Sequence, residues 1–236
     1  MSRKQFTKQL GELHDRLEQM ALVAQDSISI AVVSFESLDQ QRVQEVFALD
    51  RRLFRYQLDL EARCLDLIAL QAPVARDLRR VGTAYKVVND LDRIGRYARD
   101  IAEITSSLGP EVTTTRIPSL PHMAKLTVAM VRKAVLALTT EDLELARSLD
   151  SDDEEVDALN DAIFREVVSY MKDETLDIAS GAHYILVSRH LERIADHAVN
   201  IGTRVEFLVT GKWPHRDLFA AGDSDEAGDA PNPDDA

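Results

Sequence analysis

Glu192 and Asp196 stand four residues apart in the segment Leu191-Glu-Arg-Ile-Ala-Asp-His-Ala198. On a helix this spacing projects both carboxylates from one face, where their oxygens can share a hard cation. The same spacing is ordinary on a solvated helix. With Leu191 at heptad position a and Ile194 at d, Glu192 falls at b, Asp196 at f and Asn200 at c, all on the side expected to face water. The stretch Asp150-Ser-Asp-Asp-Glu-Glu-Val-Asp157 is the most acidic run before the C-terminal segment. If the flanking helices form a hairpin turning near residues 172–174, residues 192 and 196 lie beside residues near 155 and 151. Asp150, Asp153 and Asp157 would then share a surface with Glu192 and Asp196. Carboxylates crowded in this way repel, and a multivalent cation would relieve them. A solvated acidic face and a cation site both satisfy this pattern.

Other chemistry is poorly represented. The chain has no Gly-rich phosphate loop, no G-x-S-x-G elbow and no cysteine pair spaced for zinc. His190 and His197 are seven apart, which matches neither H-E-x-x-H nor the Glu-x-x-His of di-iron bundles. At heptad position g, His197 reads as a hydrogen-bonded edge histidine. The single cysteine, Cys64, lies in a helical pattern and reads as a small buried hydrophobe in a reducing compartment.

The elements that must position these side chains come from a duplication. A shift of 100 residues superposes the two halves: Leu38 meets Leu138, Asp50 meets Asp150, and Asp77 meets Asp177. The densest match sets Leu91-Asp-Arg-Ile-Gly-Arg-Tyr-Ala-Arg-Asp-Ile101 against Leu191-Glu-Arg-Ile-Ala-Asp-His-Ala-Val-Asn-Ile201. Shared apolar positions alone would say little, since amphipathic helices resemble one another. The shared Arg and the acid before it add to them. In the first half Asp92 is followed by Arg96 in place of the second acid, and the facing stretch is Asp50-Arg51-Arg52. Ion pairs are therefore expected there where a cation could sit in the second half. Tyr97, at the place of His197, is expected as a half-buried aromatic at a bundle edge.

Each half reads as three helices. In the first they span about 3–37, 39–70 and 73–108, and in the second 123–138, 141–171 and 175–210. Gly109-Pro110, Thr113-Thr114-Thr115, Pro118 and Pro121 mark a linker. Thr139-Thr140-Glu-Asp offers a hydroxyl cap for the helix after it. Tyr184, Val187, Leu191, Ile194, Ala198, Ile201, Val205 and Leu208 make a heptad seam. The expected architecture is all-α: two tandem three-helix bundles, 1–109 and 122–214, joined by a linker at 110–121 and followed by a disordered acidic tail at 215–236.

Composition agrees with long helices. The 236 residues are 45% hydrophobic but only 6% aromatic, with 9 Gly and 7 Pro. The net charge of −13 is uneven: residues 1–108 are neutral, 109–216 carry −6 and 217–236 carry −7. No segment has the cationic excess that nucleic-acid binding needs, so nucleic acid is not an expected partner. The longest uninterrupted apolar runs fall far below the ~20 residues that span a bilayer, so no membrane insertion is expected, and the N-terminus does not read as a secretory signal.

The repeated L-[D/E]-R-I-x-x-x-A-x-[D/N]-I segment, Val88-Asn89-Asp90 before it, and Leu67-Ile-Ala-Leu-Gln-Ala-Pro-Val-Ala-Arg-Asp-Leu-Arg79 resemble the PhoU family of phosphate-uptake regulators over about residues 5–212. The resemblance implies a cytoplasmic protein without catalytic activity. It further implies action beside a phosphate ABC transporter ATPase and a sensor histidine kinase, restraining uptake and starvation signalling when phosphate is plentiful. It also implies E(D)-x-x-x-D motifs that bind metal ions on the bundle surface. Glu192 and Asp196 match that motif in full and Asp92 only in its first acid, while Asp77 matches a family acid without an assigned role. The expected metal set is thus Glu192, Asp196, Asp150, Asp153, Asp157 and Asp92, for Fe, Mn, Mg, Ca or Zn. A homodimer is compatible with this reading. The alternative is a generic oligomerising helical scaffold.

Overall fold

The computed structural model describes residues 3–108 and 117–214, and the expected acidic tail lies outside them. Seven helices follow in order: α1 (Arg3–Ser37), α2 (Gln40–Gln71), α3 (Ala75–Ser107), α4 (Ser119–Thr140), α5 (Leu143–Arg147), α6 (Leu149–Lys172) and α7 (Ile178–Thr210). There is no strand among the described residues. Helices α1, α2 and α3 pack on one another as one bundle, and α4, α6 and α7 as the second. The bundles are joined face to face, α3 against α7 and α1 against α4. All buried apolar side chains belong to one continuous core.

The seam expected along the last helix is buried from Tyr184 to Leu208. Ser188, Ala195, Val199 and Gly202 are buried as well, making a second stripe beside the first. Helix α7 needs both, because it faces its own bundle on one side and α3 on the other. Phe35 and Tyr184 meet edge to face across the bundles at 4.9 Å.

The turns explain where the repeat keeps its register. Leu38 takes a left-handed φ of 52° and Asp39 caps α2 through Gln41 and Arg42 N–H groups. The equivalent turn has Glu141 at φ 53° and Asp142 capping at the Leu145 N–H. Those two residues stand 103, not 100, positions after Leu38 and Asp39. The expected cap by Thr139 and Thr140 is therefore corrected: both hydroxyls donate back to the Leu136 carbonyl within α4, and Asp142 takes the cap. The spacing of 103 continues in the core, where Val46, Leu53, Leu60 and Cys64 of α2 correspond to Leu149, Val156, Ile163 and Val167 of α6. Helices α3 and α7 return to a spacing of 100, with Leu91 and Leu191, Ile94 and Ile194, and Ala98 and Ala198 all buried. The pairing of Asp50 with Asp150 is thereby corrected to Asp50 with Asp153.

The second helix of the second half, expected as one run over 141–171, is broken at Ser148 into α5 and α6. The break lets α5 press against α7 at Gly202, where a Cβ would stand 2.9 Å from the Ala146 carbonyl oxygen. The first half has Ala102 at that place and an unbroken α2. Helix α4 begins at Ser119, earlier than the expected 123, with Pro118 and Pro121 framing its first turn. Mean hydropathy reaches 1.2 over a window within Lys4–Ser37, enough by length and composition to cross a membrane. The apolar side of that helix is instead core: Leu13, Leu17, Met20, Ala24, Ile28 and Phe35 are all buried.

Candidate functional site: an acidic face on α6 and α7

Helices α6 and α7 pack side by side as the hairpin expectation requires. Asp153 feels the negative charge of Asp157, Asp196, Asp150 and Glu192, so the five expected acids share one surface. Burial first, and then those four carboxylates, push Asp153 up to about 6. Burial also raises Glu192 and Asp157; Asp196 pushes both the same way, while Arg189 opposes it. Asp150 and Asp157 are exposed. Neighbouring acids are already engaged: Lys133 pairs with Asp152 at 2.5 Å, and His122 with Glu155 at 3.6 Å.

The expectation that Glu192 faces water is corrected. Its side chain is only 13% exposed, one oxygen is held by Arg189, and the other, Oε2, is buried with no hydrogen-bond partner. Asp153 Oδ1 is buried and unpartnered in the same way. Asp196 behaves as the heptad foresaw, with 43% of its side chain exposed and Arg193 3.6 Å away. The α6–α7 packing covers position b more deeply than a two-helix seam would. As they stand, the side chains do not converge as a set of three or more metal ligands among the described residues. Two buried, unpaired carboxylate oxygens with raised proton affinity nonetheless fit a hard cation, which would supply the missing partner.

The first bundle carries the same geometry with different charges. Asp92, whose side chain is only 7% exposed, accepts a hydrogen bond from Arg96 Nε at 2.7 Å. Asp50 is raised by burial and opposed by Arg99, whose Nε lies 4.0 Å from Oδ2. Both acids have guanidinium neighbours, as the sequence foresaw, and Asp92 stands apart from the five acids of the second bundle. Asp77 pairs with Arg80 at 3.0 Å in the first turn of α3, and Arg80 also binds Glu141, tying the two bundles together. Cys64 is fully buried, and its thiol is pushed up to about 12 by that burial.

A polar seam between the bundles was missed by sequence reasoning. Asp90, only 6% exposed, lies 3.1 Å from His197 Nδ1 and accepts from Arg204 Nε at 2.9 Å. Tyr97 packs on both His190 and His197 at 5.8 Å. Positions 90 and 190, and 97 and 197, are repeat equivalents, so the 90–197 and 97–190 contacts exchange when the repeats do. The signal was present: position g holds Asp in one half and His in the other at this register. His197 is thus a hydrogen-bonded histidine, as expected, and its partner belongs to the other bundle.

The PhoU domain matches this chain twice, over residues 17–105 and 120–205. A phosphate-specific transport system accessory protein PhoU homolog of Caulobacter vibrioides is 34% identical over 212 residues, covering 89% of this chain and 91% of its own. A protein of the same description from Clostridium acetobutylicum is 30% identical, covering 90% and 97%. The crystal structure of the phosphate transport system regulatory protein PhoU from Streptococcus pneumoniae superposes with a TM-score of 0.81 at 28% identity, covering 89% of this chain and 99% of that one. That of PhoU from Pseudomonas aeruginosa gives 0.81 at 30% identity, covering 88% and 100%.

Proposed function

The chain belongs to the PhoU family, and from that premise we propose that it is a non-enzymatic negative regulator of inorganic phosphate uptake and of phosphate-starvation signalling. It works in the cytoplasm by docking on the ATPase of a phosphate ABC transporter and on a sensor histidine kinase, biasing each partner between its states. The single observation that carries this reading is the double domain match over both bundles, together with near full-length relatives described as phosphate transport accessory proteins. One continuous core supports it physically: a surface spread over two bundles can transmit a bias only if they move as one body.

Multivalent metal on the acidic face is part of the proposal. Glu192, Asp153 and Asp196 would hold it, with Asp150 and Asp157 at the rim, and the bound charge would neutralise a surface that otherwise repels acidic partners. Asp92 is left out, because Arg96 already supplies its counter-charge. The test is a crosslinked pull-down at high phosphate. Capture of the transporter ATPase or the kinase is the expected result, together with altered phosphate accumulation on deletion. Failure of both measurements returns the protein to the class of generic helical scaffolds.

A further inference from the structure

A groove of about 400 Å³ opens where α3 meets α7, away from the acidic face. Its floor is Gly82 and the buried Thr83 of α3, and one wall is an aromatic pair. Phe207 of α7 and Trp213 beyond it stack with ring centroids 4.3 Å apart and planes 9° from parallel. The indole stays 57% exposed. Three cations rim this apolar hollow: Arg79, Lys86 and Arg204. Arg79 spends only its Nε, on the Leu208 carbonyl at 3.3 Å, and Arg204 gives its Nε to Asp90. Lys86 is exposed and has no acid within ion-pair distance among the described residues. In a protein of net charge −13, three cations around an aromatic wall, only one of them paired with an acid, are a local reversal of sign.

An apolar hollow of this size with a stacked aromatic face and cations at its rim selects a ligand that is flat and aromatic at one end, held inside, and strongly anionic at the other, held at the mouth. The geometry points to a nucleotide site: the base lies against the Phe207–Trp213 wall over Gly82, and the phosphates lie among Arg79, Lys86 and Arg204. Stacking on an aromatic side chain suits any base, so triphosphate and diphosphate forms both fit. Because α3 and α7 belong to different bundles, occupancy bears on the seam between them, which no transport partner is needed to detect.

Trp213 is the only tryptophan of the chain and sits in the wall, so its fluorescence reports directly. ATP titrated into the full-length protein should quench it saturably, with matching heat in calorimetry, while adenosine and inorganic phosphate should each bind at least tenfold more weakly. Lys86→Glu should weaken ATP at least tenfold. Gly82→Leu should abolish binding while leaving the fold intact, because a Cβ at Gly82 meets nothing within 4 Å and the larger side chain fills the groove. Absence of saturable binding up to ~1 mM ATP, or equal affinity in both folded variants, overturns the assignment. So does quenching by a peptide of residues 217–236 without quenching by ATP, which would give the groove to an acidic chain.

Discussion

The two bundles build one acidic corner twice and reverse the charge beside it, with Arg96 in the first and Asp196 in the second. In the first, Asp50 and Asp92 are closed by Arg99 and Arg96. In the second, Asp153 and Glu192 occupy those places, Asp196 replaces Arg96, and two carboxylate oxygens stay buried without a partner. A buried acid needs a counter-charge, and a scaffold can carry it in its own sequence or leave it to be supplied from solution. Carrying it makes the first corner independent of conditions. The second leaves it out at Asp153 and supplies Glu192 with Arg189 on one oxygen only, so both carboxyls have raised proton affinity and the corner is the one proposed above to take a cation.

The largest expected effect separates the corners outright. Glu192→Ala with Asp196→Ala should remove bound multivalent cation completely, whereas Asp92→Ala should leave the metal content unchanged, as read by elemental analysis of gently purified protein. Equal metal in the double variant and the parent sinks the site.

A second contrast lies at α5. Gly202→Ala should cost roughly 1–3 kcal/mol in urea unfolding, because the added methyl meets both the buried Leu149 side chain at 2.8 Å and the Ala146 carbonyl oxygen at 2.9 Å, and the backbone carbonyl cannot turn away. The first bundle already has alanine at the equivalent Ala102. A neutral result would mean that α5 yields freely and that the break at Ser148 is not tied to this contact.

Removing Arg96 should strand the 7%-exposed Asp92 and cost about 1–3 kcal/mol. Arg193→Ala should stay within about 0.5 kcal/mol, since Asp196 and Arg193 are both near half exposed. Similar losses in the two variants would show that the corners do not differ in their dependence on an internal cation.

The last contrast is in pH dependence. Asp153 holds its proton up to about 6 when folded against 3.8 ordinarily, so the folded state binds the extra proton between these values. Its stabilising contribution is present below about pH 4 and is lost as pH rises through about 6. In chelator, the parent should therefore lose stability over that interval relative to Asp153→Asn. The variant should be ahead near neutral pH by about 1 kcal/mol, or about 2–4 °C in Tm. Parallel melting curves across the interval would remove the argument for a strained carboxylate.

Much of this was legible along the chain. Heptad spacing predicted the long helices and the buried stripe of α7, and Arg96 announced the ion-paired corner. The three-residue slip was not legible, because it covers α4 as well as α6, with Leu17, Met20, Ala24, Ala31 and Phe35 corresponding to Leu120, Met123, Thr127, Ala134 and Leu138, and it is removed before α7, where the conspicuous L-[D/E]-R-I match stands at 100. The Asp90–His197 seam escaped for a related reason. Periodicity describes how a helix meets its own bundle, and it says nothing of which side meets the other one.

What the sequence determined by itself was local and periodic: helix spans, the duplication, the uneven charge and the acids that could face one another. Only the tertiary structure decided which of those acids lose water. Glu192, at a nominally solvated position, is covered because α6 packs closely over it, while Asp196 one turn on remains half open. Proton affinity follows from that desolvation, and desolvation depends on neighbours distant in the chain.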